Sequence, residues 1–144
     1  MRGATAALGL FILVGPSVPG LEAGDVISER QALMRRLADQ LQVVWDGLAA
    51  GDGVAIQKGA QAIAGQAARL PALFPPESLH PPSRAQPTIA AEVSTFEAIT
   101  RAMREAAEAT AAAAKRETLD QVRPHLTRLV QTCRRCHRSY VRFP

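Results

Sequence analysis

The two cysteines of this 144-residue chain lie near its C-terminus, in the segment Cys133-Arg134-Arg135-Cys136-His137. On a helix, residues three and four apart share one face, so both thiols and the imidazole point the same way. This spacing is the attachment sequence of a c-type haem, whose two vinyl groups bond the thiols while the histidine reaches the iron. The segment therefore predicts one covalently bound haem c per chain, held by Cys133 and Cys136, with His137 as an iron ligand.

A C-x-x-C pair has three other uses, and none of them matches the rest of the chain. A thioredoxin-like redox pair belongs to a βαβ context, but the sequence carries no strand pattern. Structural zinc usually takes four Cys or His ligands, and the other two histidines, His80 and His125, lie far from the motif. A disulfide between cysteines three apart on one helix would constrain little.

The N-terminus has the layout of a secretory signal peptide. Met1 and Arg2 give a positive start, residues 4–14 form an apolar run, and residues 15–20 carry the helix breakers Gly and Pro. The run is shorter than the roughly 20 residues that cross a bilayer. We therefore expect a signal peptide at 1–23 and one periplasmic domain at 24–144, without stable membrane insertion; an uncleaved anchor is the alternative.

Apolar residues recur at intervals of three and four, which predicts four amphipathic helices. The first begins at Val26, with Asp25 as its N-cap, and ends at Gly51. Asp52 caps the second helix, which ends before Pro71. Only a short turn separates the first two helices, so they are expected to be antiparallel neighbours.

The second half of the chain follows the same pattern after a proline-rich connection at 75–87. A third helix is expected from Thr88 to Lys115, and Thr118 with Gln121 forms a capping box for a fourth that carries the haem motif. Pro124 must kink this helix or mark its start. The predicted fold is all-α: an antiparallel four-helix bundle with a C-terminal haem-attachment helix.

Charge is distributed unevenly along the chain, which has a formal net charge of +4. After Asp120 there is no acidic residue, while six arginines follow. Such a basic end either attracts an anionic partner or only keeps a helix surface hydrated. Nucleic acid is not expected as a partner, since the chain has no binding motif and few aromatic residues to stack on bases.

A C-x-x-C-H on the last helix of an exported bundle resembles the cytochrome c′ family, the class II c-type cytochromes. The opening of the first helix, residues 26–34, is similar to the family's first stretch, as are Leu73-Phe74-Pro75 and residues 96–98. Relatives usually carry a basic residue four positions after the haem histidine. Here that position is Val141, and Arg142 follows it.

The resemblance implies that Arg30 and Gln31 lie beside the haem propionates and that Met34, four residues after Arg30, faces the iron from the distal side. If Met34 ligates the iron, the haem is six-coordinate and low-spin, and the protein is a one-electron carrier with a redox partner protein. If it only covers an open position, the haem is high-spin and binds small gases such as nitric oxide. Met103 is a fallback ligand.

No enzymatic role is expected, because no acid-base constellation converges near the motif. An apolar outer stripe on the first two helices would suit a homodimer. The remaining alternative is a helical interaction protein in which the C-x-x-C-H segment is incidental.

Overall fold

The computed structural model describes residues 23–116 and 118–142. The predicted signal peptide therefore lies almost wholly outside the described residues. Four α-helices are present: α1 (Ala23–Ala50), α2 (Gly53–Ala67), α3 (Val93–Arg116) and α4 (Leu119–Tyr140). Three short 3₁₀ turns lie between α2 and α3. The all-α four-helix bundle is confirmed, and the described part of the chain has one isolated β-bridge, between Ala85 and Val141, but no strand.

The turn between α1 and α2 has the predicted cap. Gly51 adopts a positive φ of 75°, a conformation that glycine reaches without a Cβ clash. Asp52 Oδ1 then accepts hydrogen bonds from the backbone N–H groups of Val54 (3.0 Å) and Ala55 (2.9 Å). This cap satisfies two of the free donors at the start of α2 and fixes where the second helix begins.

Two predicted helix starts are wrong. Asp25 is not the N-cap of α1, because the helix is already formed at Ala23 and Asp25 lies in its first turn, where a carboxylate still favours the helix dipole. Residues Pro87–Ala90 form a separate 3₁₀ turn, so α3 begins at Val93 instead of Thr88. This turn buries Ile89 against the cluster around Phe96, a contact that helical periodicity does not reveal.

The apolar residues form two clusters. The larger fills the space between the four helices, and the smaller lies beneath the connection between α2 and α3. In the smaller cluster, the Phe96 ring packs against Phe74 at 4.8 Å and edge-on against Tyr140 at 5.5 Å, measured between centroids. Trp45 is 42% exposed although the three-and-four spacing of apolar residues along α1 includes it.

The four helices do not close a complete ring. Helix α1 packs on α2, α2 on α3, and α3 on α4, whereas α1 and α4 have few close backbone approaches. Instead they face each other across two adjoining cavities that both helices line. In the described ranges, none of the helices has the length and apolar character needed to cross a bilayer.

Candidate haem site

The C-x-x-C-H segment occupies the last turns of α4, beside the two cavities. An inner cavity of about 160 Å³ is lined by both cysteines and His137. An outer cavity of about 280 Å³ is lined by Cys136 and His137, together with residues of α1 and of the connection. Since Met34, Cys136 and His137 line both cavities, the two spaces form one site.

The inner cavity has the surface that an apolar macrocycle requires. Its other lining residues are apolar and come from all four helices and the turn that follows α2. They include Met34, Leu37, Leu41, Ile63, Met103 and Leu129. Contact between these residues and an apolar ring removes apolar surface from water, which is favourable, and none of these side chains carries a polar group that the ring would leave unsatisfied. The residues therefore fit a haem held between α1 and α4.

The two thiols fit covalent attachment. Cys133 and Cys136 are free and partly buried, so neither is consumed in a disulfide. Burial raises the pKa of Cys133, and burial together with the neighbouring Cys133 raises the pKa of Cys136 to about 11. Both sulfurs are therefore neutral thiols near neutral pH. The zinc interpretation lacks ligands, because no group of three His, Cys, Asp or Glu side chains assembles anywhere in the described residues.

His137 differs from the other two histidines in its position. It lines both cavities, whereas His80 and His125 line neither. Partial burial lowers the pKa of His137, which favours the neutral imidazole that binds a metal. His137 is thus the histidine of this chain that the fold presents to the site.

Helix α1 supplies the opposite wall. Arg30, Gln31 and Met34 all line the outer cavity, and Met34 lines the inner one as well. The structure therefore brings all six predicted site residues to one site, with Met34 and His137 on facing helices. The fallback residue Met103 lines only the inner cavity. The roles of Arg30 and Gln31 at the propionates and of Met34 at the iron stay predictions.

Arg30 has a second set of partners that the sequence did not indicate. The residue is only 6% exposed, and its guanidinium lies 4.2 Å from the centroid of the Phe74 ring. Nε donates to the carbonyl of Leu73 (2.8 Å), and Nη1 donates to Ser83 Oγ (2.8 Å) and the carbonyl of Ser78 (3.3 Å). Nη2 donates to Ser78 Oγ. Four of the five N–H groups thus bind the connection.

The end of α4 is fastened to the same connection. The backbone N–H of Gln86 donates to the carbonyl of Tyr140 (2.8 Å), and Arg142 Nη2 donates to the carbonyl of Ser83 (2.5 Å). The Tyr140 hydroxyl donates to Glu92 Oε2 (2.8 Å), and burial followed by this bond raises the pKa of Tyr140 to about 12. Arg142 therefore holds the connection against the end of α4.

Several residues of the outer cavity were missed by sequence reasoning. Arg35, Arg84, Tyr140 and Val141 all contribute to its lining. Arg35 could have been found, since it lies one helical turn from Gln31. Arg84 could not, because its place depends on how the connection folds back over α4.

Comparison with known proteins agrees with this geometry. The family model of cytochrome c′ matches residues 25–141. The cytochrome c′ of Thermochromatium tepidum has a TM-score of 0.75 and 23% identity, covering 85% of this chain and 98% of that one. A ferrous variant of Alcaligenes xylosoxidans cytochrome c prime with bound NO has a TM-score of 0.77 and 19% identity, covering 88% and 100%.

A third solved structure is a cytochrome c′ with an unusual ligand-controlled dimer dissociation. It has a TM-score of 0.78 and 21% identity, covering 87% of this chain and 100% of that one. At these identities the solved structures show the fold, whereas the family model shows membership. No curated protein matches this chain in sequence. The chain belongs to the cytochrome c′ family, and its cofactor is a covalently attached haem c.

Proposed function

We propose that this haem protein is a periplasmic one-electron carrier whose iron is ligated by His137 and Met34. The observation that carries the proposal is that Met34 lines both cavities, opposite the histidine of α4. A thioether is a soft donor, and no other histidine lines the site to compete with it. The signal-peptide pattern at 1–23 and the usual export of the family support a periplasmic location.

Each site residue has a distinct task in this proposal. The bound haem supplies an iron that changes between the ferric and ferrous states. Cys133 and Cys136 would hold the ring on α4, and the neutral imidazole of His137 would bind the iron through a ring nitrogen. Met34 would supply its sulfur as a second ligand, and a histidine–methionine pair raises the reduction potential of a haem iron. The apolar lining of the inner cavity would keep water away from the ring.

We further propose that the chain carries out no enzymatic reaction. Apart from His137, the inner cavity is lined by apolar side chains and the two cysteines, so no carboxylate or second imidazole is available there for proton transfer.

The second candidate function is the binding of a small gas such as nitric oxide to a five-coordinate, high-spin haem. Two observations favour it. The space around Met34 is apolar and suits an uncharged diatomic ligand, and one of the structurally similar proteins is a ferrous form with bound NO. In this case Met34 covers an open coordination position without ligating the iron.

Optical spectra of the purified ferric protein distinguish the two functions. If Met34 ligates the iron, the wild type gives a low-spin spectrum with the weak long-wavelength band of sulfur-to-iron charge transfer. Met34→Ala then becomes high-spin and loses that band. The matched control is Met103→Leu, which removes the other cavity thioether and keeps the low-spin spectrum. If the wild type is high-spin and Met34→Ala leaves its spectrum unchanged, the His137–Met34 ligand pair of the proposed electron carrier is rejected and gas binding is supported.

We also propose a homodimer formed through the outer surfaces of α1 and α2. Two of the large apolar residues that are exposed in the described part of the chain, Val43 on α1 (39%) and Val54 on α2 (59%), are available for this contact. Trp45 is not included, because it is two residues after Val43 and lies on another side of α1. The dimeric cytochrome c′ among the structural neighbours supports the proposal.

A further inference from the structure

The outer surface of α4 carries a group of arginines that the haem site does not use. We call Arg128, Arg134, Arg135 and Arg138 the basic face; all four are exposed. At about 100° per residue they cover roughly 120° of the helix circumference. This arc is opposite the buried side of α4, which contains Val122, Leu126 and Leu129.

Within residues 23–116 and 118–142, no acidic side chain forms an ion pair with the basic face. The ion pairs of the described residues are Arg69–Glu29, Arg104–Glu108 and Arg123–Asp120, and none includes a member of the face. The chain has no acid after Asp120. Because a guanidinium stays protonated at all ordinary pH values, the positive potential of this surface is permanent.

The basic face belongs to the same turns of α4 as the haem motif. Arg134 and Arg135 stand between the two haem-binding cysteines, and Arg138 follows His137 directly. The outer cavity continues the same charge, since its exposed lining residues include Arg35 and Arg84 but no Asp or Glu.

We propose that the basic face and the arginine-lined rim of the outer cavity form the docking surface for an acidic protein that exchanges electrons with the haem. The proposal rests on the electron-carrier function above. Arginine pairs with carboxylates through two parallel N–H···O bonds, which gives orientation as well as attraction. Positive and negative surfaces of this kind raise encounter rates by about 10- to 1,000-fold and set the docking geometry.

Two other anionic partners fit the surface less well. A helix that binds a lipid surface inserts its apolar side into the headgroup region, but the apolar side of α4 is buried in the bundle core. A single-stranded nucleic acid needs aromatic side chains for its bases to stack on, and the basic face contains only arginines. A carboxylate-rich protein surface needs neither feature.

The test compares two charge-reversed variants of the holoprotein with equal net charge. Arg134→Glu/Arg138→Glu alters the basic face, and Arg101→Glu/Lys115→Glu alters exposed positions on α3, outside the proposed dimer surface. The first measurement is the affinity for poly-L-glutamate as a function of salt concentration. We expect wild type and control to bind alike, with affinity falling as salt rises, and the basic-face variant to bind about tenfold more weakly or worse.

The second measurement is the rate at which hexacyanoferrate(III), a trianion, oxidises the ferrous protein. It should fall in the basic-face variant and stay near the wild-type value in the control. If affinity and oxidation rate fall equally in both variants, net charge alone explains the effect and the proposal is overturned. Tighter binding to phosphatidylglycerol vesicles than to poly-L-glutamate would overturn it in favour of a lipid surface.

These measurements separate the docking proposal from the proposed function. A high-spin spectrum would reject the electron carrier without changing the affinity for poly-L-glutamate. Conversely, a low-spin, methionine-ligated protein that bound no polyanion would keep the electron carrier and reject the docking surface.

Discussion

Arg30 shows how one side chain connects distant parts of this molecule. Its guanidinium binds three residues of the connection, which follow it by 43, 48 and 53 positions. Burial without a carboxylate partner lowers the pKa of Arg30. The charge is tolerated because carbonyls, hydroxyls and the face of Phe74 surround it. Arg30 therefore shapes the wall of the outer cavity, whether or not it also reaches a propionate.

Replacing Arg30 by alanine should lower the free energy of unfolding of the holoprotein by about 3 kcal/mol, because it leaves buried acceptors on Leu73, Ser78 and Ser83 without donors. Denaturant titration measures this value. Arg35→Ala is the matched control, since Arg35 lines the same cavity but is exposed, and its effect should stay within about 0.5 kcal/mol. If Arg30→Ala shifts the reduction potential but leaves the free energy of unfolding unchanged, Arg30 acts at the haem propionates and does not stabilise the connection.

At the scale of the helices, the closeness of α1 and α2 depends on Gly59. A Cβ added there would lie 2.8 Å from Val44 Cγ2 and 3.1 Å from the carbonyl oxygen of Gln40. Val44 is fully buried, so it has little room to move. Gly65 lies on the same helix, but a Cβ at that position meets nothing within 4 Å.

The two glycines should therefore respond to alanine with opposite signs. Gly59→Ala forces α1 and α2 apart and should lower the free energy of unfolding by about 1–3 kcal/mol, reduced by the helix propensity that alanine adds. Gly65→Ala gains that propensity without a clash and should raise stability by about 0.5–1 kcal/mol. Thermal unfolding of the two holoproteins measures both effects. Equal shifts would show that helix packing at Gly59 is not tight.

At the scale of the whole molecule, the bundle is open between α1 and α4, and the cofactor site occupies this opening. Val43 and Val54, the exposed apolar residues of the proposed dimer, lie on α1 and α2 and line neither cavity of this opening. A second copy bound through these two residues would cover them without blocking the basic face of α4. The two proposed surfaces can therefore be occupied at the same time.

Sedimentation velocity of the holoprotein tests the dimer. We expect the wild type to sediment at twice the mass of one chain and Val43→Glu/Val54→Glu to sediment as a monomer, because the substitutions would bury unpaired charges in the interface. Val93→Glu is the control, since Val93 is 50% exposed on α3, and it should remain dimeric. A monomeric wild type, or dissociation in the control alone, contradicts this interface.

The sequence by itself determined the features that depend on near neighbours. Helical periodicity located four helices, Asp52 marked the start of α2, and the spacing of Cys133, Cys136 and His137 indicated the haem, because each signal involves residues within a turn or two. Only the tertiary structure decided how Arg30 is bonded, that Trp45 is exposed and that α3 begins after a 3₁₀ turn. These features depend on contacts between residues far apart in the chain, and such contacts leave no local pattern to detect.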